Sequence, residues 1–184
     1  FELHDEAQAT STFLLQGSAS HSCISTCKGS GASSTMNACV LAKGNDKAIV
    51  EMRNEFLSKN GSGEMLLKVL AEEKGFADTK AKIFIGEHGN ETDAYLTQDV
   101  LLLDPSAKAN AVPGLEIHTN DVRASHSASV ARITPEDLFY VQSRGLEMEE
   151  ARKLFVVGFF GAVAEKAGRP EVSEVVMKWI EQVN

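Results

Sequence analysis

No excess of basic residues marks this chain: 18 lysines and arginines stand against 26 aspartates and glutamates, a net charge of −8. A nucleic-acid binder shows a basic patch or stripe, and none is visible. A polybasic membrane contact has no support either. Long hydrophobic runs are missing too. The longest apolar stretch, Leu154 to Ala164, is about half of what a membrane span needs. Nothing resembles a secretory signal. The chain opens on Phe1 with no methionine, which reads as a fragment with an unseen upstream part. Cysteine is scarce, and three is an odd number, which argues against a disulfide framework. Cys23, Cys27 and Cys39 therefore read as reduced thiols of a cytoplasmic protein.

What is present suits a soluble globular chain. Its 184 residues make one ordinary domain, or one with a small appendage. That length buries about two-thirds of the unfolded surface. Apolar residues are 43% and charged residues 24%, ordinary values for such a chain. Charge is spread evenly: residues 1–133 carry 17 acids and 12 bases, residues 134–184 carry 9 and 6.

The hydrophobic period changes near residue 133. Before it, short apolar runs centre on Phe13–Leu15, Ser22–Thr26, Asn37–Leu41, Ala48–Phe56, Met65–Leu70, Ala81–Ile85, Val100–Leu103 and Leu115–Ile117. Glycine-, asparagine- and serine-rich turns separate them, such as Lys28-Gly29-Ser30-Gly31 and Asn60-Gly61-Ser62-Gly63. Many short strands with regular turns mean an all-β sandwich, barrel or coil. Within 48–56, Ala48, Val50, Met52 and Phe56 share one face, and Glu51, Arg53 and Glu55 the other. Strand centres recur roughly every 10 to 17 residues, too loosely for a strict repeat.

After residue 133 the pattern is helical. Thr134-Pro135-Glu136-Asp137 combines a capping hydroxyl, a proline suited to the first helical position and acids for the positive helix end. Gly145 reads as a C-terminal cap. A second helix spans about 147–166, with Met148, Ala151, Phe155, Phe159 and Ala162 on one face. Leu154, Val157 and Gly161 widen that stripe, which predicts a largely buried helix. Gly168 and Pro170 end it. A third, about 171–182, places Val172, Val175, Val176, Trp179 and Val183 together. Glu147, Glu149, Glu150, Arg152 and Lys153 read as a solvated face.

Two stretches carry more than composition. One is Thr92-Asp93-Ala94, then Val100-Leu101-Leu102-Leu103, Pro113-Gly114-Leu115-Glu116-Ile117 and Asn120-Asp121-Val122. The other is Ser125-His126-Ser127-Ala128-Ser129-Val130, then Leu138-Phe139-Tyr140, Ser143-Arg144-Gly145-Leu146 and Ala151. In order and spacing they resemble the C-terminal part of the SufB/SufD family of iron–sulfur cluster assembly proteins. That family shows a TDA segment, an LLL strand, P-x-LEI, an SHGAT or EHEAT segment, and LFY-x-x-SRG. The resemblance implies a mainly β fold: a right-handed parallel β-helix core over 1–133, itself the C-terminal part of a longer core, then a small helical domain over 134–184. It implies that the helical domain docks a SufC-like ATPase of the ABC class, and that the chain pairs as a homodimer or a heterodimer with a SufB/SufD paralogue. No G-x-x-x-x-G-K-[ST] loop occurs in the sequence, so no nucleotide is expected on this chain, and ATP hydrolysis falls to the partner. The chain is expected to be a scaffold or a structural partner rather than an enzyme. A β-helical acyltransferase or sugar-active enzyme would need more regular repeats or an acidic groove.

His126 matches the family's segment histidine, which the resemblance implicates in building a transient iron–sulfur cluster. A neutral imidazole suits an iron ligand or a proton shuttle. Three departures surround it. Ala124 stands where SufD-type members have cysteine, and Ser127 where SufB-type members have glutamate. Gln98 and Asp99 stand where a SufB-type cysteine precedes the LLL strand. Thiolates are the usual cluster ligands. Either this subunit does not hold a cluster alone, or it uses oxygen ligands, with Asp99, Glu116 and Asp121 the candidates. Carboxylates are harder ligands than a sulfide-rich cluster prefers. His21, Cys23 and Cys27, at spacings of two and four, share one strand face. With Cys39 nearby they form a second candidate set for sulfur transfer or metal binding, though buried cysteines often act as small apolar residues. Leu138, Phe139, Tyr140, Arg144, Phe155 and Phe159 are the candidate partner-binding residues.

Overall fold

Every strand pairing in the computed structural model, which describes residues 1–182, is parallel. The strands are β1 (Glu2–Leu3), β2 (Gln8–Gln16), β3 (Ala19–Cys27), β4 (Ser33–Ala42), β5 (Lys47–Phe56), β6 (Ser62–Ala71), β7 (Phe76–Ile85), β8 (Thr92–Leu102), β9 (Lys108–Ile117) and β10 (Val122–Arg132). Odd strands form sheet A, in the order β1-β3-β5-β7-β9, and even strands form sheet B, β10-β8-β6-β4-β2. Each strand thus pairs with the one two places away, and the chain winds as a parallel β-solenoid of about four turns. An antiparallel sandwich is thereby excluded.

The repeat is the whole coil, not the strand. Register pairs Ala19 with Ala48, Lys47 with Phe76 and Ser33 with Ser62, 29 residues apart each time. Later coils take 30 to 32, as in Thr92–Val122 and Phe76–Lys108. Corners stack as well: Gly31 donates its backbone N–H to Lys59, Asn60 to Asn90, and Glu91 to Asp121. These bonds satisfy turn groups that would otherwise lose water.

Stacking of identical coil positions builds the interior. Met36, Met65 and Leu96 form one inward row, Val40, Val69 and Val100 another, and Phe56 with Ile85 a third. Burying each large side chain contributes about 1.5–3 kcal/mol. Gly63 leaves room for the Phe56 ring: a Cβ there would lie 2.8 Å from Phe56 Cζ and collide with the Ser34 carbonyl. Two polar pairs lie inside, while Asn54 Oδ1 and Gln98 Oε1 are buried without a hydrogen-bond partner among the described residues. Ser25 and Ser34 hydroxyls meet at 2.7 Å, and Gln98 donates to Thr79 Oγ1 at 2.6 Å.

The two sheets differ on their outer faces. Sheet A alternates, as in β5, because its outer side meets water. Sheet B is covered on both sides only toward the C-terminal ends of its central strands, so residues 38–42, 65–71 and 100–103 read as near-continuous apolar runs. The cover is helical. Of α1 (Pro135–Gln142), α2 (Met148–Glu165) and α3 (Pro170–Gln182), the last two pack Val156, Phe160, Val163, Ala164, Val176 and Ile180 onto Cys39, Leu41, Leu66, Leu70, Leu101 and Leu103. Thr134 caps α1: its hydroxyl accepts from the Asp137 N–H, and the Asp137 carboxylate accepts from the Thr134 N–H. Gly145 takes a φ of +93° just beyond α1.

The buried face of α2 corrects the sequence expectation. Ala151, Val156, Phe160, Val163 and Ala164 are buried. Met148 and Leu154 are exposed, and Phe155 and Phe159 lie at the rim of the contact. The helix carries apolar residues on nearly all sides, so periodicity alone did not define its inner stripe; the seam of leucines on sheet B did. Arg152 also leaves the solvated face assigned to it and bonds Glu72 at 2.7 Å and Asp104 at 2.9 Å. On α3, Val176 and Ile180 are buried, Trp179 is half-buried and Val175 is exposed; Val183 lies outside the described residues.

Candidate functional site

Strand β10, which the sequence reading left unassigned, carries His126. Its register sets the histidine's place: His126 pairs with Leu96, Leu96 with Met65, and Met65 with Met36. Those three are buried in the interior, so His126 continues an inward row. It is nonetheless exposed, because β10 is the outer strand of sheet B and nothing among the described residues stacks above it. The same holds for β9 in sheet A. The last coil therefore ends in two strands with free backbone edges and a partly open interior, where Ala109, Ala111, Leu115, Val122 and Ala124 are half-buried.

The oxygen-ligand candidates do not converge on His126. Glu116 lies on the outer face of sheet A, in line with Phe84. There Lys82 donates to it and His118 Nε2 sits 2.8 Å from Oε1. The Lys82 hydrogen bond, then that of His118, lowers its carboxyl to about 2. Asp99 lies on the outer face of sheet B, opposite to His126. It accepts from Lys68 Nζ at 2.7 Å and Ser129 Oγ at 2.5 Å. Burial pushes its carboxyl up, but these two donors and the Lys68 charge outweigh that and hold it below the ordinary value. Asp121 is exposed in the turn between β9 and β10. For Asp99 the reason is period 2: it pairs with Ser129, an odd number of positions from His126, and such positions face opposite sides of a sheet; Glu116 lies on the other sheet and Asp121 in a turn.

The second set divides too. His21, Cys23 and Cys27 do share the inner face of β3, stacked on Val50, Met52 and Phe56. The His21 ring lies 4.8 Å from that of Phe13. Cys39 is not with them. It faces outward from sheet B, beneath the helices. Burial raises all three thiols, Cys27 to about 11 and Cys39 to about 12, so none is a ready thiolate at neutral pH. Among the described residues, no three His, Cys, Asp or Glu side chains stand together to hold one metal ion.

In the helical part, Phe139 is 72% and Tyr140 61% exposed, and α1 buries no residue. Arg144 stacks over the Tyr140 ring, 5.3 Å from its centroid. Leu138 is half-buried. Phe159 holds Lys68 Nζ 4.9 Å from its ring centroid. Sequence reading missed Lys68 and Ser129. The signal for Lys68 was present: it is the lone charge in Met65-Leu66-Leu67-Lys68-Val69-Leu70. No described helix is long and apolar enough to cross a membrane.

These features define a class: a parallel β-solenoid with a helical layer on one sheet and an uncovered last coil that presents His126 on its inner row. The chain belongs to the SufBD core-domain family of the SUF system for iron–sulfur cluster assembly, which it matches over residues 2–159. It is 31% identical over 166 residues to the iron-sulfur cluster assembly protein SufD of Escherichia coli (strain K12), covering 89% of this chain and 39% of that protein. It is 36% identical over 110 residues to SufD of Bacillus subtilis (strain 168), covering 57% and 25%. With SufB of the same organism it shares 25% over 128 residues, covering 70% and 26%. The chain thus spans well under half the length of these relatives.

Proposed function

We propose that this chain is a cytoplasmic, non-enzymatic subunit of an iron–sulfur assembly complex that supplies one imidazole, His126, to a transient cluster site completed by a SufB/SufD-type partner. The observation that carries this reading is the place of His126, on an inward row yet exposed at the uncovered coil. The free edges of β9 and β10 invite pairing with another solenoid, and such pairing would bring partner ligands beside it. The cluster is cargo, and its thiolates come from the partner, since Cys27 and Cys39 of this chain are buried, Cys23 is half-buried, and burial raises all three thiols. Residues 134–184, with Phe139 and Tyr140 outermost, form the docking region for a SufC-like ABC ATPase. A second reading, a structural partner with no cluster chemistry, draws on the separation of Glu116, Asp99 and Asp121 from His126.

Anaerobic reconstitution with iron and sulfide separates the two. The chain is compared alone and in complex with the paralogue and ATPase of its own organism, as wild type and His126→Ala. The expected result is a visible chromophore in the complex that loses at least half its iron in the variant while the complex stays intact. Unchanged iron in His126→Ala establishes the structural-partner reading instead.

A further inference from the structure

Lys68 is placed where an ammonium is costly. It lies on the outer face of sheet B beneath α2, with its side chain 15% exposed. Leu41, Leu66, Leu70 and Leu101 surround it on that face. A charge there needs a partner to offset its lost hydration. Register supplies a row of partners: Lys68 pairs with Asp99, and Asp99 with Ser129. Asp99 Oδ2 accepts from Lys68 at 2.7 Å and Oδ1 from Ser129 at 2.5 Å. On the helical side, the ammonium lies over the Phe159 ring, which packs against Phe160 at 5.5 Å between centroids. Four side chains therefore run from α2 across β6 and β8 to β10. The last, Ser129, is three residues from His126 on the same strand.

β10 needs such fastening, since it has a neighbour on one side and is exposed along most of its length. Its other side-chain ties lie toward its ends: Arg123 to Asp93 at 2.9 Å, and Arg132 to the Asp104 and Ala107 carbonyls. Shifting α2 removes the ring from Lys68 and lets water reach the ammonium. A solvated ammonium has less need of Asp99, and the Asp99 carboxylate that Ser129 bonds is anchored by Lys68.

We propose that Lys68, Asp99 and Ser129 form a positional link that passes the seating of α2 to the edge strand, so that an ATPase engaging the helical tail alters how firmly the His126 strand is held. Its use in assembly rests on the roles given above to His126 and to the tail. The link itself is a property of this chain. Lys68, Asp99 and Ser129 are positioning residues.

Amide hydrogen exchange over residues 122–132, read by mass spectrometry, tests it. Phe159→Leu keeps an apolar side chain but removes the ring; exchange in β10 is expected to rise roughly 2- to 30-fold, the span of a coupling of this size. Phe159→Tyr restores the ring and is expected to restore wild-type exchange. In an Asp99→Asn background the Phe159→Leu effect on β10 is expected to vanish, with α2 still loosened and protection of β4 and β6 intact. Unchanged β10 exchange in Phe159→Leu overturns the link, and so does an undiminished effect in Asp99→Asn. Iron content of the His126→Ala complex is read separately. Its loss with no exchange coupling leaves the site and removes the link; coupling with unchanged iron keeps the link and removes the site.

Discussion

At the scale of single residues, burial decides what each titratable group can do. Cys39 is fully buried under α2, and burial raises its thiol to about 12; Cys27, against Phe56, rises to about 11. At pH 8 Cys39 therefore stands almost wholly as the thiol. Cys23 is half-buried, and its thiol is raised less. Alkylation at pH 8 is therefore expected to modify Cys23 alone in the folded protein, with Cys27 and Cys39 reacting only in denaturant. Peptide mapping after iodoacetamide checks this. Labelling of native Cys39 as fast as Cys23 would contradict its burial. Carboxylates show the opposite sign. Asp99 and Glu116 sit below their unfolded values, so their contribution is present above about pH 4.5 and is lost as pH falls toward the lowered values.

At the scale of elements, sheet B shows how a neighbour sets a strand's composition. β6 lies between β4 and β8, with the solenoid interior on one side and α2 on the other. Its apolar run follows from that double cover. Gly63 starts the run because the Phe56 ring and the Ser34 carbonyl occupy the space a side chain would need. The carbonyl belongs to the parallel ladder and cannot move aside cheaply. Gly63→Ala is expected to destabilise the protein by about 1–3 kcal/mol through overpacking. Urea denaturation followed by far-UV circular dichroism measures it, and a neutral substitution would mean that this corner is looser than the coil stacking implies.

At the scale of the molecule, two apolar clusters share sheet B without merging. One fills the solenoid; the other joins its outer face to α2 and α3. Ion pairs fasten α2 at both ends, Arg152 to Glu72 and Asp104 near one corner and Lys166 to Glu64 near the other. Phe160 is fully buried in the second cluster and meets Trp179, the single tryptophan, edge-on at 5.4 Å. Phe160→Ala is expected to cost about 3–5 kcal/mol, and to move the Trp179 fluorescence transition to lower urea ahead of the β signal. Leu67→Ala, in the solenoid, is expected to move both together. Coincident transitions in Phe160→Ala would show that helices and solenoid unfold as one unit.

Sequence alone determined the local terms. Period 2 placed Val50, Met52 and Phe56 on one face and grouped His21, Cys23 and Cys27; the Thr134 cap and the Pro170 break bounded the helices; the ordered motifs from Thr92 to Ala151 pointed to the family. These are properties of neighbours in the chain. What faces what was decided by the fold, because coil register joins residues about 30 apart and no local period encodes it. β10 was not legible as a strand, since its serines and alanines become one only by pairing with β8. Parity across coils then put His126 on the inner side of sheet B and Asp99 on the outer, and carried Cys39 away from the other cysteines. Packing on the leucine seam chose the inner side of α2. A lone lysine in an apolar run was visible from the start; only its register with Asp99 and Ser129 gave it something to hold.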